Sequence, residues 1–277
     1  MFAPRCQRMS FLIKIKLDYM IESPNIGIRH DRLTAFLRAF ALGTTHCGSA
    51  RAANLLIIDA DCAGRPTHLL YRARSNETLP QGVKLCAAAR VDFGGSANPL
   101  IGALPEEVSV SLAEEPQLLG LAELITAEVE TARCGGSSVQ ARLCEVVVVL
   151  AIRKAIAIGT VDAGLLAGLA HPRLSASLIA MHDEPARKWQ IADLAAISGM
   201  SRGQFTAIFK QIVGESPGAY LNGWRLVLGR ARLGSGESVK SVAAAVGFGS
   251  AAAFSRAYSR RFGHAPSQSA MPGGMLE

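Results

Sequence analysis

Two stretches near the end of this 277-residue chain set cationic and polar side chains at helical spacing just after a glycine. Arg202, Gln204, Thr206 and Lys210 follow Gly199; Ser255, Arg256, Arg260 and Arg261 follow Gly247. Guanidinium and ammonium groups neutralise phosphates, and side chains sharing one helix face can reach base edges in a groove. The charge balance points the same way. Residues 186–277 carry eleven Lys and Arg against Asp193, Glu215, Glu237 and Glu277, whereas residues 1–185 carry eighteen of each sign. The whole net charge of +7 therefore falls on the C-terminal third. A polyanionic partner fits this asymmetry, although charge alone would equally suit a basic soluble surface.

The elements that must position these residues form an internal repeat. Residues 191–217 read IADLAAISGMSRGQFTAIFKQIVGESP, and residues 239–266 read VKSVAAAVGFGSAAAFSRAYSRRFGHAP. Nine positions match once one residue is inserted after Phe248, among them Gly199 with Gly247 and then Ser201 with Ser250, Phe205 with Phe254 and Phe209 with Tyr258. Ile191, Leu194 and Ala195 predict the apolar face of a short helix, and Gly199 supplies a sharp turn. Ser201 and Gln204 predict a capping box. Phe205, Ile208, Phe209 and Ile212 then bury one side of a second helix and leave its polar side outward. The second copy repeats the plan with Val239, Val242, Ala243 and Val246, then Phe254, Ala257, Tyr258 and Phe262. Helix, tight turn and basic second helix make a helix-turn-helix, present twice. Between the copies, Pro217 opens a helix to about Leu233, striped by Tyr220, Trp224, Val227 and Ala231. Such a spacer could hold the second helices roughly 34 Å apart, one turn of duplex DNA.

Upstream, apolar bursts at Ala53–Ile58, Thr67–Tyr71, Val83–Val91 and Val108–Leu112 predict short strands. Helical periodicity follows at Leu118–Arg133 and Val139–Ile158, joined by Gly135-Gly136, and again at Arg173–His182. The longest strongly apolar run, Val146–Ile152, is far too short to span a bilayer. Lys14 and Lys16 interrupt any signal-peptide core, so a cytoplasmic protein is expected.

Residues Trp189–Pro266, above all GFGSAAAFSRAYSRRFGHAP, resemble the AraC/XylS family of transcription regulators. The segments THLLYRA and KLCAAARVDFGGSANPLIGALPEEV look like a branch of that family with an N-terminal cupin-like barrel. The resemblance implies a linker helix joining two helix-turn-helix units, double-stranded DNA as partner, and regulation by the N-terminal domain through an unknown small-molecule effector. RNA polymerase contact and a homodimer are further expected partners. By the family pattern, Gly203, Thr206 and Ala207 face bases in the first copy, and Ala252, Ser255 and Arg256 in the second. Arg256 is the expected direct base contact, to guanine, while Lys188, Lys210, Arg260 and Arg261 anchor phosphates. One departure stands out: Arg74–Glu77 runs almost directly into Leu79–Leu85, so the barrel is expected to be truncated by two or more strands.

Two enzymatic alternatives compete. A metal-dependent cupin-type enzyme would draw on His46, Cys47 and His68, but the strand that would bring a further histidine is missing. A Cys-based DNA alkyl-transfer protein would want clustered cysteines, whereas Cys6, Cys47, Cys62, Cys86, Cys134 and Cys144 are scattered without a C-x-x-C pair. Cys47 and Cys86 could sense oxidants or be inert thiols. The expectation is therefore a regulator, with no catalytic residue, metal or cofactor. Its fold is α+β: a poorly ordered leader at 1–29, a truncated cupin-like β-barrel effector domain at 30–115, a helical dimerisation or linker region at 116–184, and an all-α DNA-binding domain at 185–277.

Overall fold

The computed structural model describes residues 32–269 apart from 48, 63, 75–78, 80–81, 95–97, 132 and 159–162. The leader expected at 1–29 lies outside the described residues. After helix α1 (Thr34–Ala39) come strands β1 (Gly43–His46), β2 (Leu55–Asp59), β3 (His68–Arg72) and β4 (Lys84–Asp92), short helix α2 (Pro99–Ala103) and strand β5 (Glu107–Ser111). The strands form one antiparallel sheet in the order β1-β4-β2-β3-β5.

Burial explains the order. All five residues of β2, Leu-Leu-Ile-Ile-Asp, are buried, as suits a central strand covered on both faces. In β5 only Val108 and Val110 turn inward, the alternation of an edge strand. Asn54 extends the pairing beyond β2: its Nδ2 donates to the Val91 carbonyl at 2.7 Å, and its Oδ1 accepts from the Val91 N–H at 2.6 Å. Opposite each other in the β3–β5 register, Arg72 and Glu107 form an ion pair at 2.9 Å. Among the described residues β1 and β5 are the sheet's two edges and do not pair with each other. The truncated barrel is thus an open sheet.

Helices α3 (Pro116–Thr131) and α4 (Gly136–Ile158) form the Gly-Gly hairpin. Gly135 adopts φ +77°, and Gly136 sits so close to Glu128 that a Cβ would lie 3.2 Å from Oε2. Ile125, Val147, Val148, Ala151 and Ile152 pack inward, in one core with Leu55, Ile57, Ala87 and Ala89 of the sheet. The other side of the hairpin leaves Leu124, Val139 and Val146 more than 40% exposed.

Helices α5 (Leu165–Ala170), α6 (Leu174–Asp183), α7 (Ile191–Ile197), α8 (Arg202–Val213), α9 (Pro217–Gly234), α10 (Val239–Ala245), α11 (Ala251–Phe262) and α12 (Pro266–Ser269) complete the described chain. The sheet's core continues through Leu166, Leu178 and Met181 to Phe205 and Phe209 of α8 and Trp224 of α9. A separate core holds Leu226 and Leu233 of α9 with Val242, Ala243, Val246, Phe254 and Tyr258. The first helix-turn-helix therefore shares the core of the N-terminal body, whereas the second has its own core, built on the far half of α9.

Candidate nucleic-acid interface

The two helix-turn-helix units are local copies at their turns, hydrogen bonds included. In the first, α7 ends at Ser198, Gly199 takes φ +60°, and the Met200 N–H donates to the Ala195 carbonyl at 2.9 Å. In the second, Gly247 takes φ +87° and the Phe248 N–H donates to the Ala243 carbonyl at 2.8 Å. A positive φ there would burden any residue with a Cβ, which is why glycine recurs.

Ser201 and Ser250 then cap the second helices. The Gln204 N–H donates to Ser201 Oγ at 3.3 Å and Gln204 Oε1 accepts from the Ser201 N–H at 3.2 Å, closing the expected capping box. In the second copy alanine replaces that glutamine, and only the Ala253 N–H to Ser250 Oγ bond, 3.1 Å, remains. Both helices end on left-handed glycines, Gly214 and Gly263.

Phe205, Phe209, Phe254 and Tyr258 are fully buried. That turns the opposite faces of α8 and α11 outward. Arg202, Gln204, Thr206, Lys210, Arg256, Arg260 and Arg261 are exposed, Ser255 is half-buried, and Gly203, Ala207 and Ala252 lie open between them. Not all of these are idle. Thr206 Oγ1 donates to the Arg202 carbonyl at 2.9 Å, and Gln204 is engaged by the cap. Arg261 lies back over α9, its Nη1 3.6 Å from where a Cβ on Gly223 would sit. Arg202, Lys210, Arg256 and Arg260 make no ion pair among the described residues. One apolar assignment fails: Ile191, the first residue of α7, is 37% exposed.

The structure adds residues that the sequence pattern did not single out. Arg173, ahead of α6, donates from Nε to the Ser198 carbonyl at 3.1 Å and from Nη2 to the Gly199 carbonyl, gripping the first turn. His171 Nδ1 accepts from the N–H groups of Arg173 and Leu174, at 3.2 and 3.1 Å, and so caps α6. Arg225 of α9 donates to the carbonyls of Pro185 and Arg187 at 2.6 and 2.9 Å, holding the connector into α7. That connector supports the second unit too, since a Cβ on Gly247 would lie 2.6 Å from Ala186 Cα. His182 is fully buried among Phe36, Tyr220 and Trp224, with Nε2 2.6 Å from the Tyr220 hydroxyl. Burial holds its pKa at about 3, so it is neutral. No spacing rule announces such residues, because each acts across a tertiary contact.

For catalysis the geometry offers less. His46 lies on β1, and His68 Nδ1 meets Thr67 Oγ1 at 3.2 Å. Among the described residues no three His, Cys, Asp or Glu stand where they could hold a metal ion. Cys47 packs with Leu56, Ile58 and Ala88 on one face of the sheet, whereas Cys86 packs into the main core on the other. They do not form a facing pair, and burial raises the Cys86 thiol's pKa. Among the described residues no helix is long and apolar enough to cross a membrane.

Comparison with known proteins follows the same division. Residues 38–157 match the cupin family profile, and residues 194–270 match that of a helix-turn-helix domain. An AraC-like transcription regulator of Streptomyces lividans, itself named putative, is 42% identical over 104 residues, 37% of this chain and 34% of that protein. A helix-turn-helix transcriptional regulator of Haemophilus influenzae is 33% identical over 170 residues, 61% of this chain and 57% of that one. The Escherichia coli RCS-specific transcriptional activator RclR is 28% identical over 247 residues, covering 87% of this chain and 83% of its own. The chain thus spans from about a third to just over half the length of the first two relatives.

Proposed function

Because the chain belongs to the AraC family of helix-turn-helix transcription regulators, with a cupin domain on its N-terminal side, we propose that it binds specific double-stranded DNA and sets promoter activity in the cytoplasm by binding rather than catalysis. The observation that carries this reading is the duplicated unit, with two capped helices whose basic faces are exposed while their aromatic faces are buried. Each such helix suits a major groove, and a rigid α9 suits two successive grooves of one duplex.

Roles divide by chemistry. Arg256, exposed in the second turn of α11 and flanked by small residues, reads a base edge, with guanine's paired acceptors the best match to a guanidinium. Arg202, Gln204, Thr206 and Ser255 border the same groove-facing surfaces. Lys188, Lys210, Arg260 and Arg261 hold phosphates. Residues 30–115 act as effector domain and 185–277 as DNA-binding domain. Residues 116–184 link them, and the exposed Leu124, Val139 and Val146 of the α3–α4 hairpin serve as the homodimer contact. RNA polymerase is the downstream partner.

The test is duplex affinity against salt for the wild type and two variants. Arg256→Ala should cost about 1–3 kcal/mol on selected sites and little on random duplex. Lys210→Ala should weaken both alike and flatten the salt slope by about one unit. Equal losses on both duplexes for Arg256→Ala would remove its base-reading role. A wild type indifferent to duplex at low salt would remove the function.

A further inference from the structure

An open sheet has two edges, and an edge strand offers unpaired N–H and C=O groups to any strand that can reach it. At β1 the α3–α4 hairpin stands close by, with Gln140, Ala141 and Cys144 of α4 gathered around Thr44. At β5, Glu107-Val108-Ser109-Val110-Ser111, the far side is open. The Ala73 N–H donates to the Glu106 carbonyl and the Leu112 N–H to the Thr67 carbonyl, both at 2.9 Å. Antiparallel pairing alternates, so between those points Val108 and Val110 bond to β3. The main-chain groups of Glu107, Ser109 and Ser111 therefore point away from the sheet, where they meet no partner among the described residues.

Edge strands commonly carry a device against further pairing, such as a lysine, a proline or a bulge. Strand β5 has no lysine or proline, and its register against β3 runs without a shift. Its one charge, Glu107, is matched by Arg72 at 2.9 Å. Ser109, at the middle, is exposed, and Glu107 and Ser111 are half-buried. The strand is also chemically symmetrical about Ser109. Turned over against a second copy with Ser109 opposite itself, Val108 faces Val110 on the core side, while on the other side Glu107 faces Ser111, whose hydroxyl can donate to the carboxylate. Like charges do not meet, because the two Glu107 residues stand four positions apart, about 14 Å.

We propose that β5 pairs antiparallel with β5 of a second copy, joining two open sheets across a two-fold axis at Ser109. Each outward residue then donates one main-chain hydrogen bond and accepts one. Three residues a side bury far less than the about 1,200 Å² of a stable specific interface. The contact therefore joins chains that something else already holds close, such as neighbours on one duplex, where the effective concentration is high. Leu124, Val139 and Val146 lie on the hairpin and not at this edge, so the pairing adds to the hairpin contact instead of replacing it. The setting on DNA rests on the DNA-binding reading; the pairing itself does not.

Disulfide trapping tests the register in the full chain, with Cys6, Cys62 and Cys134 changed to serine. In a hydrogen-bonded antiparallel pair, opposed Cα atoms lie about 5.5 Å apart, within reach of a disulfide. At high protein concentration under mild oxidant, Ser109→Cys should link to its own copy at least about tenfold faster than Ser111→Cys, whose copies stand about 14 Å apart. Peptide mass mapping identifies the linked positions. Ser109→Pro removes an N–H that β3 does not use, so circular dichroism and affinity for a single duplex site should stay as they are. On a duplex with two selected sites on one face, the wild type should fill the second site about tenfold more tightly than the first, and Ser109→Pro should abolish that gain. Equal rates for the two cysteine variants, no link at position 109, a link from 109 to another cysteine of the same chain, or a second-site gain that survives Ser109→Pro overturns the pairing. If Ser109→Cys links as expected but the wild type ignores duplex, the pairing stands and the DNA-binding reading fails instead.

Discussion

The turn glycines of the two helix-turn-helix units occupy equivalent places but should not tolerate alanine equally. At Gly199, φ is +60°, and an added Cβ would find no atom nearer than Arg173 Nη2 at 4.0 Å. Gly199→Ala should therefore cost only the left-handed conformation, about 1 kcal/mol. At Gly247, φ is +87°, and the Cβ would meet Ala186 Cα at 2.6 Å and its carbonyl oxygen at 2.9 Å. That backbone cannot easily retreat, because Arg225 holds the carbonyls on both sides of it. Overpacking against fixed backbone adds about 1–3 kcal/mol, for a total of about 2–4 kcal/mol. Amide hydrogen exchange read by mass spectrometry resolves the two units separately. Protection should fall about fivefold across α7–α8 in Gly199→Ala, and about 30- to 1,000-fold across α10–α11 in Gly247→Ala. Equal losses in the two variants, or a milder effect at Gly247, would refute the claim that the second turn rests on the connector.

Two further outcomes follow from the packing. Burial lowers the His182 pKa to about 3, against 6.5 in the unfolded chain. Below pH 6.5 the unfolded state takes up a proton that the fold refuses, so this contribution is intact above 6.5 and declines as the pH falls towards 3. Between pH 7 and pH 5 the loss is about 2 kcal/mol, and urea unfolding at the two pH values should show it shrinking by that amount in His182→Gln; an unchanged pH dependence in the variant would contradict the assignment. Val146→Glu, on the exposed side of α4, should convert a dimer to a monomer in sedimentation velocity while leaving the circular dichroism intact, and an undisturbed dimer would place the subunit contact elsewhere.

Much of the C-terminal architecture was legible because its signals are local. Glycine at a positive φ, serine at a helix start and aromatics at i and i+4 are short-range constraints, and their doubling marked both units, while Pro217 and the apolar stripe after it marked the linker helix. Four of the five strands were legible for a similar reason, with β2 and β4 starting within two residues of the expected apolar bursts, whereas β1, Gly-Thr-Thr-His, carries no apolar burst to announce it. What stayed hidden depends on tertiary approach. Arg173 and Arg225 look like ordinary surface cations in sequence, yet they hold carbonyls 25 to 40 positions away. His182 lies at the end of a helix pattern, and only the convergence of α1, α6 and α9 buries it. Ile191 misled in the opposite direction: apolar spacing cannot tell a helix's first residue, which has no preceding turn to shelter it, from one in the core. The eight candidate DNA contacts were placed by outward orientation, and it took coordinates to show Arg261 turned back towards α9 and Thr206 bonded to its own helix.

Hydroxyl-radical footprinting on a duplex enriched by selection with the purified chain bears most directly on the double-reading geometry. Two protected patches should appear on the same face of the helix, about 10–10.5 base pairs apart. Alanine at Arg256 should erase protection in one patch and leave the other. A single patch, or protection spread evenly along the duplex, would contradict the account.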